Sequence, residues 1–192
     1  SETRYRLMET IRQYARDRLL ESSEGETIRD RHLDFFVALA EEVEPKLRGA
    51  EQFQWLDRLD VEHDNIRAAL EWSLKEYVDK GLELVWSLLP FWDLRGYWSE
   101  GKEWAIKLLA HVSANNFART QGLLVASILS SNIGDLRTSR QYLEELVVIA
   151  RELGEAGKLP LALGLGYLGN IVFDDNALLG ESLQEEGLAI AR

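Results

Sequence analysis

Apolar residues return every three or four positions through nearly the whole chain, and strict alternation with β-branched residues is almost absent. This periodicity predicts an all-α protein. Met8, Ile11, Ala15 and Leu19 form a first stripe, with Arg6, Glu9, Arg12, Arg16 and Asp17 around it. A break at 22–25 precedes a second helix carrying Leu33, Phe36, Val37, Ala40 and Val43, which should end between Pro45 and Gly49. The segment EQFQWLDRLDVEHDN leads into a separate amphipathic helix with Ile66, Ala69, Leu70, Leu74 and Tyr77 on one face. Asp64 or Asn65 is the expected N-cap there. Further on, Pro90 should kink or interrupt the helix in GLELVWSLLPFWDLRG.

The second half repeats itself. Gly96, Trp98, Gly101 and Trp104 match Gly134, Leu136, Ser139 and Tyr142 at an offset of 38 residues. Glu144, Ile149 and Arg151 match Glu185, Ile190 and Arg192 at an offset of 41. Each unit reads as helix, tight turn, helix, with a small residue early in the second helix where backbones approach. That is the logic of an α-α superhelix of antiparallel helix pairs, a tetratricopeptide-like solenoid with units somewhat longer than the usual ~34 residues. Because one such pair cannot bury its apolar face alone, pairs must stack. No polar capping helix is evident before Arg192, so the array is expected to continue or to be covered by another molecule.

Composition narrows the function. The 192 residues include 22 basic and 33 acidic side chains, a net charge of −11, which opposes binding to a phosphate backbone. No direct nucleic-acid contact is expected from this chain. There is no cysteine, which removes thiolate chemistry and Cys-ligated metals and fits a reducing, cytoplasmic setting. No apolar run reaches membrane-spanning length, and the charged start SETRYRLMETIRQYARDRL is unlike a signal peptide.

Three stretches, RYRLMETIRQYARDRL at 4–19, EHDNIRAALEWSL at 62–74 and FWDLRGYWSEGKEW at 91–104, resemble the region that follows the nucleotide-binding and winged-helix parts of bacterial STAND-type (NB-ARC ATPase) regulators. Those proteins include SARP- and LuxR-type transcriptional regulators with tetratricopeptide repeats in their C-terminal halves. The resemblance implies a helical region at 1–78 following a winged helix and tetratricopeptide-like repeats at 79–192, packed continuously with it. It also implies a sensor or interaction arm, with ATP and DNA binding elsewhere in the parent. The sequence FDDN at 173–176 departs from the aromatic-Gly-Asp turn of the repeat.

No catalytic motif is persuasive, and the chain is read as a non-enzyme without cofactor or metal. Gly164, Gly166 and Gly169 satisfy G-x-G-x-x-G, but a dinucleotide site needs a preceding strand, and these glycines align by the repeat with Leu123, Val125 and Ile128 inside a helix. Close helix contact is the better account. No P-loop is present. His32, His63 and His111 lack metal-site spacing and are expected to face solvent or cap helices. Asp57, Asp60, Glu62 and Asp64 lack the glycine and terminal glutamate of a calcium loop, and read as a solvated face plus an N-cap. DDNALLGE at 174–181 fails the same calcium test, its glycine falling one position late.

The remaining candidate is an aromatic cluster. Trp86, Phe91, Trp92, Tyr97, Trp98 and Trp104 crowd around Arg95. They form either a packed core between repeats or the lining of a concave groove, since Trp, Tyr and Arg anchor interfaces. Trp92, Arg95, Tyr97, Trp98 and Trp104 are the candidate groove residues, with Arg95 offering a cation–π or carboxylate-binding position. The expected partner is a protein or peptide. The rival readings are a small-molecule inducer pocket in the groove and a scaffold that forms homo-oligomers through the repeat ends.

Overall fold

From Gly25 onward the apolar stripes fold into helices joined by short turns, with no β-strand among the described residues. The computed structural model describes residues 24–192 together with Thr10, Ile11, Tyr14 and Arg18. Met8, Ala15 and Leu19 of the first expected stripe, and most of the stretch at 4–19, lie outside them.

Helix α1, Gly25–Val43, buries Leu33, Phe36, Leu39, Ala40 and Val43 on one face. It gives way to a 3-10 helix at Glu44–Arg48, with Pro45 in the first turn, where its missing N–H costs nothing. Helix α2 runs unbroken over Gln52–Glu76. The expected boundary near position 65 is therefore absent. Leu56, Leu59, His63, Ile66, Ala69, Leu70 and Ser73 continue one buried stripe, and no glycine or proline interrupts it. Asp64 and Asn65 consequently cap nothing. Asp64 pairs with Arg67 at 3.2 Å, and Asn65 Nδ2 donates to Glu62 at 2.7 Å.

Helices α3, Val78–Ser87, and α4, Leu89–Leu94, are separated at Leu88, with Pro90 opening α4 as expected. Then follow α5, Trp98–Leu109, and α6, Phe117–Asn132. After these come α7, Leu136–Glu152, α8, Lys158–Val172, and α9, Ala177–Ile190. A 3-10 turn at Gly154–Gly157 joins α7 to α8. Side chains of Asn116, Asp135 and Asn176 cap α6, α7 and α9 by accepting from the N–H groups of Arg119, Thr138 and Leu179.

Three helix pairs result: α3 and α4 with α5, α6 with α7, and α8 with α9. Their second helices begin at Trp98, Leu136 and Ala177, reproducing the spacings of 38 and 41 residues in the sequence. The chain is an all-α helical-repeat superhelix. In the first two pairs the turn uses a left-handed glycine, Gly96 at φ 73° and Gly134 at φ 84°. The third does without one. The N–H groups of Asp175 and Asn176 both donate to Val172 O, at 3.2 and 2.8 Å, which closes the FDDN turn in a different way.

Gly101, Ser139 and Gly180 occupy the same early position of the second helix in each pair and all are buried. A Cβ on Gly180 would sit 2.9 Å from Gly169 O, and one on Gly169 would sit 2.8 Å from Gly180 O. Gly169, the last glycine of the string in α8, is thus a site of backbone contact between helices, and the string lies inside a helix rather than after a strand. One apolar core runs from Leu33 to Leu129 and a second from Leu123 to Val172. Trp86, Leu109 and Tyr142 pack against both and make them continuous. At roughly 1.5–3 kcal/mol for each fully buried large apolar side chain, this continuity is what holds the short pairs together.

Candidate functional site

The aromatic and charged residues singled out in the sequence converge where α2 meets the turn between α4 and α5. Arg95 ends α4, its N–H donating to Phe91 O at 3.1 Å, and Gly96 then reverses the chain. The reversal turns the Arg95 guanidinium to α2, where it pairs with Asp57 and, from Nε, with Asp60 Oδ2 at 2.7 Å. The Nε contact is close but poorly aligned for a hydrogen bond. Tyr97 Oη donates to the other oxygen of Asp60 at 3.2 Å. Burial, with the Asp60 charge adding to it, pushes the Tyr97 phenol above its ordinary range.

Glu100, one turn into α5, is the second hub. Arg67 on α2 holds it through two parallel hydrogen bonds, Nε to Oε1 at 2.7 Å and Nη2 to Oε2 at 2.8 Å. Hydrogen bonding from Arg67, aided by the charge of His63 and by a hydrogen bond with Trp104, keeps the Glu100 carboxyl below the usual carboxylate range. His63 Nε2 lies 3.2 Å from Glu100 Oε1 without the alignment of a hydrogen bond.

His63 overturns the expectation of a solvent-facing or capping histidine. It is 8% exposed, and its ring centroid lies 4.6 Å from Tyr97, 5.4 Å from Phe91 and 5.7 Å from Trp92. The physical reason is the unbroken α2, which places His63 on the same stripe as Leu59 and Ile66. His111 is exposed, as expected, with Nδ1 2.8 Å from Lys107 O. The ring of His32 is half-buried against Phe36, and burial lowers its pKa.

The five candidate groove residues separate into two groups. Trp92 is fully enclosed, its indole facing the backbone of Gly101, where a Cβ would lie 2.7 Å from Trp92 Cγ. Trp104 is 8% exposed, with Lys107 Nζ over its ring at 4.7 Å. Both serve the core. Arg95, Tyr97 and Trp98 are half-buried and engaged. Trp98 Nε1 donates to both the carbonyl and a carboxylate oxygen of Asp93, at 3.1 and 3.2 Å. The same carboxylate oxygen accepts from Asn132 Nδ2 of the next pair at 2.7 Å. The cluster braces one repeat against α2 and against its neighbour, and it offers no activated nucleophile.

Two concavities lie elsewhere. One, of about 430 Å³, is a wide depression at the junction of α2 and α3, walled by Tyr77, Lys80, His111 and Asn116. The other, of about 210 Å³, is a narrower cleft where α6 and α8 meet the start of α7. It spans two successive pairs. Among the described residues no group of three or more His, Cys, Asp or Glu side chains is placed to hold a metal ion.

A Mycobacterium tuberculosis protein named as an HTH-type transcriptional regulator is 30% identical over an alignment of 171 positions that covers 84% of this chain and 19% of that protein. A Mycobacterium bovis protein of the same description matches to the same extent. The chain spans 19% of the length of the curated relatives it matches. No family model matches it. No helix among the described residues is long and apolar enough to cross a membrane.

The sequence pattern placed His63 at the surface or at a cap, and it singled out neither Glu100 nor the cleft. The histidine was legible in the 3-4-3-4 spacing of Leu56, Leu59, His63, Ile66 and Leu70, once those positions are taken as one helix. The cleft had no such signal, because residues from three helices line it.

Proposed function

We propose that this chain is the non-catalytic sensor and protein-interaction arm of a multidomain bacterial transcriptional regulator, a tetratricopeptide-like superhelix of the STAND type. The observation that carries the reading is the match, over 171 aligned positions, to about a fifth of two proteins named as HTH-type regulators, in a chain built of stacked helix pairs. A stacked array presents a long surface for a partner while doing no chemistry itself. On this reading residues 1–78 follow the winged-helix part of the parent and 79–192 are the repeats. ATP and DNA are bound elsewhere in a cytoplasmic protein, and the net charge of −11 favours keeping this arm off DNA. A protein or peptide partner, or an inducer, binds the resting and active arrangements unequally and so shifts the balance between them.

The test uses the whole regulator that carries this chain. Removing the arm should leave promoter binding in a gel-shift assay intact while transcription from that promoter no longer responds to the inducing condition. Loss of promoter binding, or an unchanged response, would sink the reading.

A further inference from the structure

The cleft between α6, α7 and α8 has the make-up of a ligand site, and the strongest sign is Ser139. This side chain is 1% exposed, lines the cleft, and its Oγ has no hydrogen-bond partner. Leaving a buried hydroxyl unpaired costs about 1–3 kcal/mol, and native proteins rarely do so without a reason. Helix packing does not demand the hydroxyl, because the equivalent positions in the other two pairs are Gly101 and Gly180. Of the three second helices only α7 lines the cleft, and only α7 carries an oxygen at this position.

We propose that this cleft binds a small uncharged molecule or side chain bearing an amide-type donor and acceptor pair. Four features fix the chemical class. No Asp, Glu, Lys or Arg lines the cleft, although 29% of the chain is charged, so an ionic group entering it would lose water without gaining a counter-charge. Two asparagines are held from outside. Asn132 commits an Nδ2 hydrogen to Asp93 at 2.7 Å and keeps its carbonyl oxygen as an acceptor. Asn170 commits Oδ1 to Gln184 Nε2 at 2.7 Å and keeps its Nδ2 hydrogens as donors. A ligand amide supplies the N–H that Asn132 accepts and the C=O to which Asn170 donates, and Ser139 meets either. Ile128, Leu143 and Ile171 give the apolar wall for the body of the ligand. At about 210 Å³ the cleft lies below the roughly 300–1,000 Å³ of drug-sized sites, which limits the occupant to a single ring or one side chain.

The chemistry is shared by a free metabolite with a lactam or carboxamide and by an asparagine or glutamine side chain of a bound protein. The proposal deepens the recognition-arm reading and rests on it, but binding is measured on the chain itself, whereas the regulatory reading is measured by transcription. The two therefore fail separately. Titration with nicotinamide, uracil and N-acetylglutamine methylamide, followed by calorimetry and by the side-chain amide signals of Asn132 and Asn170 in NMR, gives the answer. Saturable binding of at least one probe is expected, weakened three- to tenfold by Ser139→Ala and abolished by Ile171→Trp, with both variants shown to be folded by circular dichroism. A response confined to the ring compounds assigns a metabolite source, and one confined to the glutamine derivative assigns a protein source. The proposal is overturned if no probe saturates at millimolar concentration, or if Ile171→Trp binds as well as the parent chain.

Discussion

Arg95 and Asp60 meet across the gap between the α4–α5 turn and α2, Nε to Oδ2 at 2.7 Å, and Tyr97 donates to the same carboxylate. A residue that looked like an exposed anchor for a partner is therefore occupied by its own fold. Its guanidinium ties a repeat to a helix about forty positions earlier in the chain, and the carboxylates it meets come from the acidic run read as a solvated face. Replacing Arg95 with Ala should cost about 1–2 kcal/mol, between the value of an exposed ion pair and that of a buried one. Urea denaturation of R95A, D60N and the double variant checks this. Coupling between the two sites is expected, and strictly additive losses would remove the brace from the account.

Glu100 gives the fold a dependence on acid. Its carboxyl titrates below the unfolded value because Arg67 hydrogen-bonds it, with His63 and Trp104 reinforcing the effect. A depressed carboxylate adds stability that is present above about pH 4.3 and is lost as the pH falls through the folded value. Glu100→Gln should therefore lower the melting temperature at pH 7, by an amount equivalent to roughly 1–3 kcal/mol, and the gap to the parent chain should narrow below pH 4. A constant gap across that window would show that packing, not charge, is what the substitution removes.

The opposite sign applies at Glu83. Burial, together with a hydrogen bond and repulsion from Glu41 on α1, raises its carboxyl above the ordinary value. A raised carboxyl contributes most when protonated, and its contribution disappears as the pH rises through the folded value. At pH 7 it works against the fold. Glu83→Gln is expected to raise the melting temperature slightly at neutral pH, by less than about 1 kcal/mol because the group is only half-buried and solvent still screens it, and to make no difference near pH 3. Thermal melts at the two pH values decide it.

The repeat was legible in the sequence because its punctuation is local. Gly96, Gly134 and the asparagine and aspartate caps lie at fixed intervals, and the pairs formed at those intervals. What failed to show was everything that depends on two helices meeting. Asp64 and Asn65 have the composition of an N-cap, yet the stripe on either side is in phase, so tertiary burial of His63 and Ile66 outweighs their preference for a helix start. Likewise the aromatic cluster could be counted but not oriented. Whether Trp92 faces a groove or the core depends on Gly101, which leaves room for the indole by having no side chain.

Three glycines, each changed to alanine, should give three different results. A Cβ at Gly101 would lie 2.7 Å from both Trp92 Cγ and Leu129 Cδ1, and neither neighbour has space to retreat, so G101A should cost about 1–3 kcal/mol through overpacking. Gly134 has open space around it but a φ of 84°, and G134A should cost about 1–2 kcal/mol through backbone strain alone. Gly166 lies within α8, with no atom within 4 Å of where a Cβ would stand, and no positive φ. There alanine removes only the helix penalty of glycine, so G166A should stabilise the chain by up to about 1 kcal/mol. Chemical denaturation ranks the three. A loss at Gly166 comparable to that at Gly101 would mean that the middle glycine of the G-x-G-x-x-G string meets a neighbour closely, against the open space found beside it.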